Sequence, residues 1–174
     1  MIPRERILRR RIVACAWIII VGLLVSGLTA IPLQTELDTV ARLLNVEHLS
    51  SVNGGSGFVK WILLVREGLH ETYAKFPFIA YGTDWLAFGH IVIAIAFIGA
   101  VRHPLRNSWL FTLGMIACVL VIPWALLFGE LRGIPIFWRL IDCSFGVLGF
   151  IPCWFCQRWA RELEQMHAAS LRFD

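Results

Sequence analysis

Residues 108–142, SWLFTLGMIACVLVIPWALLFGELRGIPIFWRLID, decide how this chain is read. Residues 108–128 carry no charged side chain, and a bilayer core takes about 20 mostly apolar residues to cross. A short turn, 129–135, follows with Glu130, Arg132, Gly133 and Pro135, and a second apolar segment, 136–157, begins on Ile136, Phe137 and Trp138. Two long apolar runs joined by a few turn-forming residues predict a hairpin of two membrane-spanning helices. Pro123 is expected to kink the first of them and to free the carbonyl of Val119. The second run departs from pure apolarity at Arg139 and Asp142, which lie three apart and so share a helix face.

Working outward, the whole chain fits this reading. Its 174 residues are 58% hydrophobic and only 16% charged, and mean hydropathy is +0.71. That is too oily for an ordinary soluble domain and predicts one compact membrane domain over residues 1–174. Residues 85–101 form a further span interrupted only by His90, followed by the basic turn 102–107. Residues 12–30 are uncharged and follow Arg4, Arg6, Arg9, Arg10 and Arg11. That run is long for the core of a signal peptide, so it is read as a first span. Between the first two spans, residues 31–83 form the longest polar excursion. Leu33, Leu37, Val40 and Leu44 keep helical spacing, with Glu36, Asp38 and Arg42 placed elsewhere on the wheel. After the breaker segment 50–57, Phe58, Ile62, Val65, Leu69 and Phe76 make a second apolar stripe. These two amphipathic helices are expected to lie at the interface or to cap the spans.

The net charge of +4 and pI near 9.0 come from arginines beside apolar runs. This placement sets membrane orientation and does not indicate a nucleic-acid partner. Arg4, Arg6, Arg9, Arg10, Arg11, Arg102, Arg106, Arg158, Arg161 and Arg172 are ten of the 16 basic residues, and all fall at the two ends or in the 102–107 turn. The predicted architecture is therefore an all-α bundle of four transmembrane helices with both termini cytoplasmic. Residues 31–83 are then outside and 158–174 form a cytoplasmic tail, as in a multi-pass protein of a bacterial-type cytoplasmic membrane.

Charges within spans are expensive and mark candidate sites. Spans two and four run in the same direction, so depths compare: His90 lies roughly 9 Å below Asp84, and Arg139 and Asp142 lie roughly 8 and 12 Å below Ile134. The expectation is a buried polar layer in the outer half of the bilayer. In it His90, Asp142, Asp84 and Glu130 are the candidate proton-handling residues. Arg132 and Arg139 would hold an anionic or carbonyl group, with Trp85, Phe88, Trp124, Phe137 and Trp138 around an apolar body. Gly146, Gly149 and Cys153 continue the Arg139–Asp142 face as small residues, which lets a neighbouring helix approach.

Other chemistry is weaker. Glu67-x-x-His70 has the spacing of carboxylate-bridged metal sites, but only Asp84, Glu130 and His90 could supply the partner groups, and from a distance, so Glu67 and His70 are weak candidates and no metal site or cofactor is predicted. Cys15, Cys118, Cys143, Cys153 and Cys156 fall in or beside apolar segments and do not form a disulfide framework. No phosphate loop, G-x-S-x-G or H-E-x-x-H occurs. Two functions compete on these residues. One is a protein that binds a lipid-like or amphipathic small molecule in the polar layer, with acid–base chemistry there if it is an enzyme. The other is a non-catalytic accessory subunit or assembly factor of a membrane complex, or a homo-oligomer, in which the charges are structural ion pairs.

Overall fold

The computed structural model describes residues 3–53, 55 and 57–170. Gly54 and Ser56 of the breaker segment and Arg172 of the basic tail lie outside the described residues. Helices α1 (Pro3–Thr29), α2 (Leu33–Leu43), α3 (Gly57–Lys75), α4 (Tyr81–Arg102), α5 (Trp109–Leu131) and α6 (Ile136–Ser170) account for nearly all of them. Short 3₁₀ turns at Ser51–Asn53 and Pro77–Ala80 complete the regular structure. Four stretches are long and apolar enough to cross a membrane: Arg4–Thr29, Pro77–Arg102, Trp109–Leu131 and Ile136–Ala169. The helix α5 continues past Pro123 and reaches Leu131, so Glu130 sits on its last turn and not in a loop. α6 likewise continues past Pro152 and takes in most of the polar tail.

The chain divides into two compact units, Leu24–Val92 and the remainder, Met1–Leu23 with Ile93–Asp174. In the second of these, α5 and α6 form an antiparallel hairpin closed by the turn at 132–135. Gly133 adopts φ +68° there, the left-handed conformation that glycine takes without a Cβ penalty. The pairing can be followed rung by rung: Gly129 beside Arg139, the Ile122 carbonyl accepting from Cys143 Sγ at 3.8 Å, Cys118 against Gly146 and Gly149, and Gly114 against Cys153. Small residues thus let the two backbones approach, as membrane helices require when no hydrophobic force drives them together. The first part of α1 joins this hairpin through Ile12, whose carbonyl accepts from Cys156 Sγ at 3.6 Å and whose side chain is fully buried with Ala16 and Ala160. The last turns of α4 bring Phe97 to Phe111, with ring centroids 6.1 Å apart. Asn107 Nδ2 donates to the carbonyls of Gly99 and His103 at 2.9 and 3.2 Å, which fixes the turn between α4 and α5.

The unit Leu24–Val92 is built on an antiparallel α2–α3 pair around Leu37, Ala41, Ile62 and Leu63. Asn45, at φ +55°, ends α2 in a Schellman arrangement: its N–H donates to Arg42 O and that of Val46 to Ala41 O. Within the same unit the last turns of α1 meet the first half of α4, where Gly27 is buried against the Ala87 carbonyl and the His90 side chain.

Candidate functional site

The expectation of a buried polar layer does not hold. Among the described residues the buried polar set consists of Ser51 alone, and no charged side chain belongs to it. Arg139 comes nearest, with a side chain 14% exposed, and it pairs through Nη1 with Glu130 Oε2 at 2.5 Å while donating to the Leu126 carbonyl at 3.3 Å. Glu130 itself is 72% exposed, because α5 carries it to the open end of the hairpin. The arginine stem lies over Gly129, and its Nε is buried without a hydrogen-bond partner among the described residues while Nη1 meets Glu130. Arg132 is exposed at the turn. Asp142 is half-buried on α6 and has no hydrogen-bond or ionic partner among the described residues.

The structure therefore brings Glu130 and Arg139 together and leaves Asp142 outside that pair. Asp84, Trp85, Phe88 and His90 belong to the other unit. There Asp84 is exposed on the first turn of α4, and Tyr81, Trp85 and Phe88 form an exposed edge-to-face aromatic row with centroids 5.9 and 5.5 Å apart. His90 is half-buried, and its Nδ1 lies 2.8 Å from the Leu86 carbonyl. A carbonyl only accepts, so Nδ1 carries the hydrogen and the ring serves α4 itself and the Gly27 crossing. Trp138 is half-buried at the start of α6, and Trp124 is exposed, its ring tilted at 40° to that of Phe128 with centroids 4.3 Å apart.

A polar cluster that the sequence reading did not assemble lies between α2 and α3. Asp38 Oδ1 accepts from Arg66 Nε at 2.6 Å and from His70 Nε2 at 3.0 Å, and His70 Nδ1 meets Gln34 Nε2 at 2.7 Å. With Nε2–H given to the carboxylate and Nδ1 accepting from the glutamine amide, the neutral ring is satisfied on both sides. The Arg66 hydrogen bond first, and that of His70 second, hold the Asp38 carboxyl below its ordinary range. One turn along α3, Glu67 accepts the Ser51 backbone N–H at 2.8 Å, and hydrogen bonding from Ser51 holds this carboxyl low as well. Glu67 and His70 thus turn to different partners, and among the described residues no three histidine, cysteine or carboxylate groups could hold a metal ion. An Asp–His pair can orient a catalytic base. Here the far nitrogen faces Gln34 and not a nucleophile, so the arrangement ties α2 to α3. A sequence signal for it existed: Gln34 and Asp38, and Arg66 and His70, are both i, i+4 pairs, two ladders of equal pitch on consecutive antiparallel helices.

Two further polar contacts join the chain's ends. Arg4 Nη2 pairs with Glu162 Oε1 at 2.5 Å, and Glu5 Oε1 lies 3.1 Å from His167 Nε2. The start of α1, the turn after α4 and the end of α6 therefore gather at one end of their unit, and Glu5, Arg9, His103, Arg106 and His167 line a common groove there. No family model, no curated protein and no solved structure matches the chain.

Proposed function

We propose that this multi-pass membrane protein is a non-catalytic accessory subunit or assembly factor of a membrane complex, docking a partner helix on the α6 face that carries Asp142. Asp142 carries the reading. It lies six residues into an apolar helix, roughly 9 Å from its start, where an ionised carboxylate costs up to about 2.5–3.5 kcal/mol. Arg139 is already committed to Glu130 and Leu126. A cationic or hydrogen-bonding group from another chain, or from a second copy of this one, would offset that cost. The exposed neighbours Leu140, Ile141 and Phe145 would give the contact its apolar surround. A ligand pocket is the weaker reading, since the charges it needs are not enclosed. In the proposed topology the arginine-rich end, with both termini and the turn after α4, faces the cytoplasm of a bacterial-type cell.

A photo-crosslinking residue at the exposed flanking position 141, with Asp142 kept, in the full chain in its native membrane, tests this. Protein adducts of defined mass, either a second copy or one partner, support docking. Adducts to lipid alone, together with a monodisperse monomer after extraction in mild detergent, overturn it.

A further inference from the structure

We infer that a groove between the start of α1 and the second half of α6 binds the headgroup of an anionic phospholipid. The inference stands on the membrane-spanning reading but not on the docking proposal. The groove encloses about 630 Å³ and is lined by Arg4, Met115, Trp154, Gln157, Arg158, Arg161, Glu162 and Gln165. Trp154, Arg158, Arg161 and Gln165 succeed one another at helical spacing, so one face of α6 passes from apolar to basic along its length. That is the order an amphiphile needs: Met115 and Trp154 at the level of acyl chain and glycerol, arginines at the level of phosphate.

The charge balance favours an anion. Arg4 is neutralised by Glu162, but Arg158 and Arg161 have no ionic partner among the described residues. Arg158 is instead held over the Trp154 ring, its Cζ 5.6 Å from the centroid, which fixes one guanidinium at the groove's apolar edge. A guanidinium offers a planar fork of donors matched to phosphate oxygens. Gln157 Oε1 is buried in the groove wall and meets no donor among the described residues. A hydroxylated headgroup such as glycerol supplies that donor once the amide turns toward it. Basic pockets between spans at the end bearing the arginines are the setting in which anionic lipids are recognised. Free phosphate would use the arginines and leave the tryptophan edge unused, so the lipid is the better occupant.

The test uses the full chain purified in detergent, stripped of lipid, and titrated in native mass spectrometry with phosphatidylglycerol, phosphatidylcholine or inorganic phosphate. Phosphatidylglycerol should be retained selectively. Arg158→Gln with Arg161→Gln should weaken it about thirty-fold, the effect of two arginines at an anionic surface. Arg102→Gln with Arg106→Gln, the same charge change outside this groove, should leave it unchanged. Trp154→Leu should weaken it without altering charge, and circular dichroism verifies the helical fold of each variant. Equal binding of phosphatidylcholine, equal loss in the Arg102/Arg106 variant, or phosphate binding as tightly as the lipid overturns the inference.

Discussion

Replacing Gly146 by alanine tests what holds the α5–α6 hairpin together. A Cβ built there would stand 2.5 Å from the Cys118 carbonyl oxygen and 2.6 Å from Val121 Cγ1. An ordinary carbon–oxygen approach is about 3.3–3.6 Å, and the first obstacle is backbone, which cannot rotate away. The helices must therefore separate by roughly 1 Å, a gap that forfeits about a quarter to a half of each dispersion contact along the seam. Overpacking of this kind costs about 1–3 kcal/mol, while exchanging glycine for alanine inside a helix returns about 0.5–1 kcal/mol. The net expectation is a loss of roughly 0.5–2 kcal/mol from these two terms. Gly149→Ala is a milder case, because its Cβ would meet only the movable Cys118 Sγ at 2.9 Å. Gly22→Ala on α1 has nothing within 4 Å and should be neutral or stabilising.

Cys143 and Cys153 are buried on the same seam and report its opening. Their maleimide labelling in detergent micelles with increasing dodecyl sulfate gives the midpoint for each variant. Gly146→Ala should open first, then Gly149→Ala, with Gly22→Ala at or beyond the unsubstituted chain. If Gly146→Ala behaves like Gly22→Ala, close backbone approach is not what holds the hairpin.

The same assay separates the two halves of the Glu130–Arg139 pair: Glu130→Ala should cost up to about 1 kcal/mol by leaving a largely covered guanidinium with one carbonyl, and Arg139→Met should be near neutral because the stem is kept and the charge removed. A stabilised Glu130→Ala variant would mean that the pair does not hold the arginine. In the α2–α3 pair, His70→Ala should cost about 1 kcal/mol, read as faster proteolysis of the 44–57 connection at neutral pH. The carboxyl of Asp38 has a lower pKa folded than unfolded, so its contribution is complete above the unfolded value of about 3.9 and is lost as pH falls through the folded one. Protection against an acid protease should therefore drop below about pH 4, and Asp38→Asn should show the lower protection already above that pH, with no such drop. Reporter fusions at the two ends should both read cytoplasmic; a reporter active outside at either end would refute the orientation drawn from the arginines.

The spans and the two amphipathic helices were legible because length, hydropathy and helical period are local properties of the chain. The small face of Gly146, Gly149 and Cys153 was legible for the same reason: three glycine or cysteine positions on one stripe of an oily helix have few uses besides close packing. The supposed polar layer failed on what helical rise cannot supply. Rise gives depth and leaves azimuth open, so Glu130 and Arg139 could be placed at neighbouring heights without showing that Glu130 is exposed and Arg139 lies against α5. Treating 129–135 as a loop hid that Glu130 rides the last turn of α5. For Asp38 the helical wheel shows only a place off the leucine stripe, whereas the antiparallel pairing of α2 with α3 brings Arg66 and His70 to it.

What remains is a division of roles with one exception. Small and apolar side chains make the contacts along the spans, while charges sit at helix ends, where Glu130, Arg4, Glu162 and Glu5 find partners or water. Asp142 lies six residues into an apolar helix without a partner among the described residues, so its replacement should act with opposite signs on the two states of the protein. In the isolated chain Asp142→Leu removes a carboxylate from an apolar helix and should stabilise it, by at most about 2.5–3.5 kcal/mol. In the native membrane the same change removes the group a partner would meet and should abolish the adduct captured from a crosslinker at the flanking position 141. A variant that is more stable alone and still captures the same adduct would show that Asp142 is tolerated at that depth and used for nothing. Loss of both stability and adduct would show instead that the carboxylate serves this chain's own fold.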